Sequence, residues 1–312
     1  MITEKDLRVA LKKAFLSGIK EDFDEKKKQN DITTQAIFPR SKPIPLVQAD
    51  ILAKEKLIVC GLPLLKLVFP EKNAVNIFKQ EGQKINSGEI IAAITAKADK
   101  ILCYERTLLN ILQRLSGIAT KTFQLRSLLS KKISLLDTRK TTPGYRILEK
   151  YAVATGGGGN HRMNLFDQYM IKDNHLLSYG KNEDYLLSII KRISDDRNLF
   201  FQKNKKIKLV TVECESQKQL DQILVAFKKG YLKKDDIIML DNMDEANLIK
   251  SIKKIKGLLK IEVSGGINQK SIIMLNRLAE RGLLVNRVSS GLLTHHLQAV
   301  DMSLEIRKFP TK

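Results

Sequence analysis

The sequence contains no tryptophan and only three cysteines in 312 residues, and 6% of its residues are aromatic. Cys60, Cys103 and Cys214 are far apart and odd in number, which argues against a CxxC metal site and against a disulfide framework. No apolar run approaches the roughly 20 residues that a membrane helix needs. The amphipathic N-terminus also lacks the apolar core of a signal peptide. We therefore expect a cytoplasmic protein with reduced thiols and no membrane role.

Acidic residues are few relative to basic ones, 34 against 55, and the net charge is +21. Such an excess is typical of proteins that bind nucleic acids, acidic surfaces or anionic ligands. The lysines are spread along the chain, for example at 26–28, 203–208 and 228–234. None of these runs is interleaved with the aromatic rings on which single-strand binders stack bases. The pattern argues against a dedicated nucleic-acid function and leaves a small anionic ligand as the better explanation.

The first 118 residues have mixed patterning. Apolar residues at helical spacing predict a helix over 4–19, and short apolar segments at 43–53, 57–65 and 85–96 are typical of strands in a small sheet. A second helical pattern begins near residue 100. We expect that helix to end at Ser116-Gly117, because glycine commonly supplies the left-handed cap.

Beyond about residue 130, short β-branched runs alternate with helical segments, which predicts βα units and a parallel sheet. Ser216 and Gln219 have capping-box spacing at the start of a helix over 216–228, and another helix is expected over 269–281. The predicted strands cover the following ranges: 131–137, 169–173, 208–213, 236–242, 260–266 and 285–291.

Polar residues follow each of these predicted strands. In a (β/α) barrel the active site lies at the carboxyl ends of the strands, and the last loops often hold a phosphate. The late segments Ser-Gly-Gly at 264–266 and Ser-Ser-Gly at 289–291 fit that position, because small residues let backbone N–H groups approach an anion. We therefore expect a phosphate-binding end in the last third of the chain.

Four cations and a histidine follow separate segments and could converge: Arg139, Lys140, His161, Arg162 and Lys172. Such a cluster is stable only around a ligand that carries several negative charges. Arginine pairs with a carboxylate or a phosphate through two parallel hydrogen bonds, whereas lysine acts as a compact charge. The cluster predicts a ligand with at least two anionic groups.

Two acids, Glu213 and Asp241, end neighbouring predicted strands. They could hold Mg²⁺ or stabilise developing positive charge, and salt bridges to the nearby cations explain them equally well. The glycine run at 156–160 lacks the spacing of a nucleotide-binding loop and is interpreted as a flexible turn. His295-His296 lacks a spaced third ligand for zinc, and His175 is interpreted as a structural hydrogen-bonding residue.

At these residues the chain resembles the quinolinate phosphoribosyltransferase family over almost its whole length. The resemblance implies an α/β protein with an N-terminal α/β sandwich over 1–118, joined by about 293–312, and an irregular α/β barrel over 119–292, the architecture of type II phosphoribosyltransferases. It also implies a homo-oligomer, a dimer or a hexamer, with shared active sites. The matching segments are NDITT at 30–34, 105–120, 137–175, 212–216, 238–242, 262–267 and 289–306.

The resemblance implies that quinolinate and phosphoribosyl pyrophosphate react, with Mg²⁺, to nicotinate mononucleotide, pyrophosphate and CO₂ in de novo NAD biosynthesis. The residues implied to hold the carboxylates of quinolinate are Arg139, His161, Arg162, Lys172 and, from the neighbouring subunit, Arg106. Those implied to be catalytic are Lys140, which touches both substrates, and Glu213 and Asp241, which lie by the ribose and Mg²⁺. Those implied to hold the 5′-phosphate are Ser264, Gly265, Gly266 and Gly291.

Other readings stay open on sequence alone. A related family tied to molybdate uptake shares the pattern, and a nicotinate phosphoribosyltransferase would need fewer cations. Lys172 at a strand end could form a Schiff base as in aldolases. The chain departs from the usual family pattern at Asn30, Tyr145 and Ser290, and only the Ser290 change touches the phosphate turn.

Overall fold

The computed structural model describes residues 2–23, 31–39, 43–179, 185–204 and 206–307. Asn30 and the lysine run at 26–28 lie outside the described residues. The chain forms two compact units. The N-terminal unit consists of Met1–Gln124, Lys140–Gly158 and Leu293–Lys312, and the barrel unit consists of Leu125–Arg139 and Gly159–Leu292.

The helices are α1 (Glu4–Asp22), α2 (Ile32–Ile37), α3 (Pro63–Val68), α4 (Ala98–Leu128), α5 (Arg146–Thr155), α6 (Asp173–Tyr179), α7 (Tyr185–Asn204), α8 (Gln217–Lys228), α9 (Glu245–Ile255) and α10 (Gln269–Glu280). The strands are β1 (Leu46–Ala53), β2 (Leu57–Ile58), β3 (Val75–Ile77), β4 (Lys84–Ile85), β5 (Ile90–Lys97), β6 (Ser134–Leu136), β7 (Tyr169–Ile171), β8 (Val210–Cys214), β9 (Ile237–Asp241), β10 (Lys260–Ser264), β11 (Arg287–Ser289) and β12 (Met302–Arg307). A short 3₁₀ turn covers Gly291–Leu293.

The N-terminal unit is built on an antiparallel sheet with the strand order β12-β1-β5-β3 and a separate β2-β4 ribbon. Helix α1 begins where Thr3 and Asp6 form a capping box, and its apolar face is buried. Because β12 pairs with β1 over six residues, the end of the chain returns to this unit. Only part of the segment 57–65 is a strand, since Pro63 starts the short helix α3.

The predicted end of the second helix at Gly117 is wrong, because α4 runs on to Leu128. A Cβ at position 117 would lie 2.5 Å from the carbonyl oxygen of Gln298 and 3.1 Å from Cα of Ala299. Gly117 is therefore needed for the close approach of residues 297–299 to the helix, and it does not act as a cap.

The barrel unit is a six-stranded parallel sheet with the order β6-β11-β10-β9-β8-β7. Each strand from β7 to β10 pairs with the next in sequence, and β11 then pairs with β6, the first strand of the unit. The α/β barrel expected from the sequence is confirmed, with β6 and β7 as edge strands. Helix α8 begins with the predicted capping box of Ser216 and Gln219.

The division of the chain differs from the expected boundaries in one respect. Residues 119–124 and 140–158, which the resemblance places in the barrel, group with the N-terminal unit. The reason is that α5 packs on α1, and the buried carboxylate of Glu149 accepts hydrogen bonds from Arg114 of α4.

The segment 156–160 contains the expected turn at residues 156–157, but its glycines are tightly packed and the expected flexibility is wrong. A Cβ at Gly156 would lie 2.4 Å from the carbonyl oxygen of Ala119, and one at Gly158 would lie 2.8 Å from Thr122. One at Gly159 would lie 2.6 Å from Leu136, with which Gly159 forms a parallel bridge. These glycines are required by tight packing.

None of the three cysteines, all of which the structure describes, forms a disulfide, and Cys60 and Cys214 are buried. Within the part of the chain that the structure describes, no helix combines the length and the apolar character needed to cross a membrane.

Candidate active site

Several of the polar residues that were singled out in the sequence lie at or just after the carboxyl ends of the parallel strands. Strand register places Ser264 beside Asp241, and it places Glu262, two residues earlier, beside Met239 and Arg287. Side chains two residues apart on a strand share a face. The barrel end therefore has an outer polar layer at Asp241 and Ser264 and a deeper one at Glu262 and Arg287.

Asp137 fixes the segment that carries the predicted Arg162. This carboxylate follows β6 and is fully buried. Its Oδ2 accepts a hydrogen bond from Asn160 Nδ2 at 2.7 Å, and its Oδ1 accepts one from the backbone N–H of His161 at 2.8 Å. Hydrogen bonds to a buried carboxylate are strong and directional, so they set the course of the chain into Arg162.

The side chain of His161 is 5% exposed. Its Nδ1 accepts a hydrogen bond from the backbone N–H of Arg162 at 2.8 Å, and its Nε2 lies 3.3 Å from Oε1 of Glu262. The other oxygen of Glu262 accepts from Arg287 Nε at 2.6 Å. The ring of His161 is thus held between the backbone and a buried carboxylate.

Arg139 and Arg162 lie within electrostatic reach of each other. Burial first, and the positive charge of Arg139 second, lower the pKa of Arg162 below the usual arginine value, while Asp167 opposes them. Two neighbouring guanidinium groups in a half-buried place could pair with an anion that carries more than one charge. The predicted convergence of these two cations is consistent with the structure.

Lys172 directly follows β7, and Glu213 lies on the neighbouring parallel strand β8. Lys172 Nζ lies 2.5 Å from Glu213 Oε2, and Glu213 is buried on β8. His175 accepts a hydrogen bond from the backbone N–H of Lys172 at 3.0 Å, which fits a structural role. The salt bridge that the sequence left open for Glu213 is therefore present.

Three acids lie close enough to share a cation. The nearest carboxylate oxygens of Glu213, Glu215 and Asp241 are all within 4.8 Å of one another. Partial burial first, and then the charges of Glu213, Asp173 and Asp241, raise the pKa of Glu215. A divalent cation, which prefers hard oxygen ligands, would relieve the repulsion that contributes to the raised pKa of Glu215.

The Ser-Gly-Gly segment forms a sharp turn between β10 and α10. Gly265 has φ 89° and Gly266 has φ 58°, and both values favour glycine. A Cβ at Gly265 would lie 2.2 Å from Oδ1 of Asn242, whereas the space beside Gly266 is open. Consecutive left-handed residues turn backbone N–H groups toward one concave surface, which suits an anion.

The remaining predicted residues are placed as follows. Gly291 starts the 3₁₀ turn after β11, and the hydroxyl of the preceding Ser290 is buried and donates to the carbonyl oxygen of Ile267. Lys140 directly follows Arg139 but belongs to the N-terminal unit, where its carbonyl accepts a hydrogen bond from Thr294. Arg106 is exposed on α4 of the same unit.

Three residues near the site were missed from the sequence. Glu262 interrupts the apolar strand KIEVS, and a charge in a buried strand is a visible signal. Arg287 sits likewise in β11. Glu215 lies two residues beyond Glu213, just past the end of β8, and its proximity to Glu213 and Asp241 is visible only in the fold.

Two family models match the chain. The model of the quinolinate phosphoribosyl transferase C-terminal domain matches residues 118–305, and that of the N-terminal domain matches residues 31–116. Together these matches span the sheet of the N-terminal unit and all six strands of the barrel.

Individual proteins agree with the family models. The chain is 37% identical over 280 residues to a probable nicotinate-nucleotide pyrophosphorylase [carboxylating] of Bacillus subtilis, covering 88% of each chain. It is 34% identical over 289 residues to the chloroplastic nicotinate-nucleotide pyrophosphorylase [carboxylating] of Arabidopsis thaliana, covering 88% of this chain and 78% of that one. The solved nicotinate-nucleotide pyrophosphorylase of Francisella tularensis superposes with a TM-score of 0.77 at 31% identity, covering 96% of this chain and 97% of that one.

Proposed function

The chain belongs to the quinolinate phosphoribosyltransferase family, and from this premise we propose how its residues divide the work. The reaction joins quinolinate to phosphoribosyl pyrophosphate and gives nicotinate mononucleotide, pyrophosphate and CO₂, a step of de novo NAD biosynthesis. One observation supports the assignment beyond the family: Arg139 and Arg162 lie close enough at the barrel mouth for the charge of Arg139 to add to the effect of burial and lower the pKa of Arg162.

The arginines form the dicarboxylate end of the site. Quinolinate carries two adjacent carboxylates, and each guanidinium can pair with one of them through two hydrogen bonds. Lys172 adds a compact positive charge beside the two arginines. His161 directly precedes Arg162 and belongs to the same end of the site. Lys140 and an Arg106 from a second copy of the chain complete this end.

The phosphoribosyl end lies at the later strands. Backbone groups of Ser264, Gly265, Gly266 and Gly291 take the 5′-phosphate, and the open space beside Gly266 supports this role. Glu213 and Asp241 flank the ribose. Their negative charges stabilise the positive charge that develops at the anomeric carbon as pyrophosphate departs.

Mg²⁺ would be held by Glu213 and Asp241, and the structure adds Glu215 as a third candidate. The fit rests on three carboxylates whose oxygens approach within 4.8 Å and on the raised pKa of Glu215, both of which a divalent cation would relieve. When bound, Mg²⁺ neutralises charge on the pyrophosphate and makes it a better leaving group.

The bond changes then follow from the placement of the two ends. The bond from the anomeric carbon to the pyrophosphate oxygen breaks, and the oxygen keeps the electron pair. The ring nitrogen of quinolinate supplies the pair for the new bond to that carbon. The carboxylate next to the nitrogen leaves as CO₂, its bonding pair stays on the ring carbon, and that carbon takes up a proton. Arg139, Arg162 and Lys172 accelerate these steps by holding the pyridine ring of quinolinate in line with the ribose.

We also propose that the protein works as a homo-oligomer in the cytoplasm. The exposed position of Arg106 on α4 supports a shared site, because a cation outside the barrel unit could complete the site of a second copy. Free cysteines support a reducing compartment. Some plant relatives are named as chloroplastic or mitochondrial proteins.

The direct test is an assay with purified protein, quinolinate, phosphoribosyl pyrophosphate and Mg²⁺. We expect nicotinate mononucleotide and CO₂ in equal amounts and no turnover with nicotinate. Turnover of nicotinate without release of CO₂ would show that nicotinate, and not quinolinate, is the substrate. Absence of product from folded, Mg²⁺-supplied protein would point to the molybdate-linked relatives.

A further inference from the structure

The segment 137–142, all of which the structure describes, carries Arg139 and Lys140 and lies outside the helices and strands. Backbone groups outside regular structure need hydrogen-bond partners from side chains or water. A site residue in such a segment is placed only as accurately as those partners allow. The side chain of Lys140 is exposed, so the contacts of its backbone and of its neighbours decide where its ammonium group lies.

Thr142, two residues after Lys140, is bonded twice to a buried ion pair. Its backbone N–H donates to Glu149 Oε2 at 3.2 Å, and its hydroxyl accepts a hydrogen bond from Arg114 Nη2 at 2.6 Å. Arg114 also donates to Glu149 Oε1, from Nη2 at 2.5 Å and from Nε at 3.2 Å. The side chain of Glu149 is 0% exposed, so these charge-assisted bonds are shielded from water and hold Thr142 in one place.

Lys140 is also held at its own carbonyl group. The hydroxyl of Thr294 donates to this carbonyl oxygen at 2.7 Å, and Thr294 is buried. Lys140 and all of these partners belong to the N-terminal unit. The backbone is therefore tied within that unit at Lys140 and again two residues later, while the lysine side chain remains exposed.

We propose that Thr294 and Glu149 are positioning residues for Lys140. Thr294 holds the carbonyl of the lysine, and Glu149, together with Arg114, holds Thr142. This inference rests on the proposed function, in which Lys140 touches both substrates. In this role Thr294 and Glu149 act through the lysine and not on a substrate.

A fixed backbone matters more for a lysine than for a stiffer side chain. The lysine stem has four carbons and rotates freely, so a mobile backbone would add to the freedom that must be lost when the substrates bind. A displacement of about 1 Å in a catalytic group can lower turnover about 100-fold. Loss of the Thr294 hydroxyl should therefore reduce kcat even though the fold persists.

The first test removes the Thr294 hydroxyl without changing the size of the side chain. In Thr294→Val we expect kcat with quinolinate and phosphoribosyl pyrophosphate to fall about tenfold or more, because Lys140 can then shift. Thr294→Ser should stay within about twofold of wild type, since serine keeps the donor. The matched control is Thr120→Val in α4 of the same unit, which loses a hydrogen bond from the backbone N–H of Ile58 at 2.8 Å. It should lower the melting temperature and leave kcat unchanged. An unchanged kcat in Thr294→Val, or an equal fall in the control, would overturn the proposal.

A double-variant cycle tests whether Thr294 acts through Lys140. Once Lys140→Ala has removed the ammonium group, the Thr294 hydroxyl has no catalytic group left to position. Adding Thr294→Val to Lys140→Ala should therefore lower kcat/KM by no more than about twofold further. Losses that multiply in the double variant would mean that Thr294 acts independently of the lysine, and they would overturn the proposal.

The order of the segment can be observed without substrate, which separates this inference from the proposed function. Because the backbone N–H of Thr142 is bonded to Glu149, we expect its amide hydrogen to exchange slowly with solvent, as measured by mass spectrometry. Glu149→Gln has one acceptor oxygen instead of two, so exchange at Thr142 should become faster while the amides of β1 stay slow. Slow exchange in a protein that does not turn over quinolinate would contradict only the proposed function. Unprotected exchange at Thr142 in wild type would overturn the inference.

Discussion

Lys172 Nζ and Glu213 Oε2 are 2.5 Å apart and link the ends of the neighbouring strands β7 and β8. The two partners differ in exposure: the side chain of Glu213 is 6% exposed and that of Lys172 is 41% exposed. The carboxylate is therefore fixed inside the barrel, and it holds a cation that is partly open to solvent. This pair also connects the two halves of the proposed site, since Lys172 belongs to the dicarboxylate end and Glu213 to the ribose end.

The pair predicts that Lys172 is not a Schiff-base lysine. The amine is engaged in an ion pair with the Glu213 carboxylate, and an amine held in this way is not free to attack a carbonyl. After incubation with dihydroxyacetone phosphate and borohydride, we expect intact-mass spectrometry to show no adduct on Lys172. An adduct that disappears in Lys172→Arg would support the aldolase alternative.

Removal of Arg139 should nearly abolish turnover while the fold persists. The Arg139→Ala variant loses one of the two paired guanidinium groups, and we expect kcat/KM for quinolinate to fall about 100-fold or more. The matched control is Arg281→Ala, an exposed arginine just after α10, which ends at the opposite edge of the sheet. Circular dichroism should be unchanged in both variants. Wild-type activity of Arg139→Ala would remove this residue from the site.

The carboxylate cluster predicts how Mg²⁺ stabilisation depends on pH. The pKa of Glu215 is raised in the folded protein, so the folded state binds more protons than the unfolded state between the two pKa values. Without metal, Glu215 is protonated below the ordinary glutamate pKa and does not repel its acidic neighbours. The repulsion develops as the pH rises through the raised pKa of Glu215. The increase in melting temperature caused by Mg²⁺ should therefore grow from pH 5 to pH 7. Asp241→Asn should reduce this increase, and Glu215→Gln should flatten its pH dependence; a pH-independent increase in wild type would contradict the cluster assignment.

The two glycines of the phosphate turn should respond differently to alanine. In Gly265→Ala the new Cβ meets Asn242 at the end of β9, and we expect a loss of about 3 kcal/mol or more in the free energy of unfolding. In Gly266→Ala the space is open, and only the left-handed backbone is penalised, by about 1–2 kcal/mol. Urea unfolding of the two variants measures the difference. Equal losses would mean that the contact with Asn242 is not rigid.

Much of the barrel could be predicted from local sequence. Each strand from β6 to β11 is a short apolar run, and Ser216 with Gln219 marks the start of α8 through contacts within one turn. Because parallel strands end at one edge, the gathering of Lys172, Glu213 and Asp241 also followed from the order of the elements.

The errors have one physical origin, which is that distant partners decide the role of a residue. Gly117 has the local pattern of a helix cap, but the carbonyl oxygen of Gln298 makes it a packing residue inside α4. Glu262 stands out in its apolar strand, yet only the fold shows that His161 and Arg287 are its partners. No local pattern contains that information.

Subunit mixing tests the proposed sharing of the active site. If Arg106 of one copy completes the site that contains Arg139 of another, each single alanine variant is inactive alone. After random exchange of equal amounts of Arg106→Ala and Arg139→Ala in a two-fold symmetric dimer, half of the dimers are mixed, and each mixed dimer contains one site with both arginines. About one site in four should then work, so activity should return to about a quarter of wild type. Mixing Arg139→Ala with a second preparation of itself is the control and should restore nothing. If mass spectrometry verifies exchange and activity does not return, Arg106 does not act across an interface.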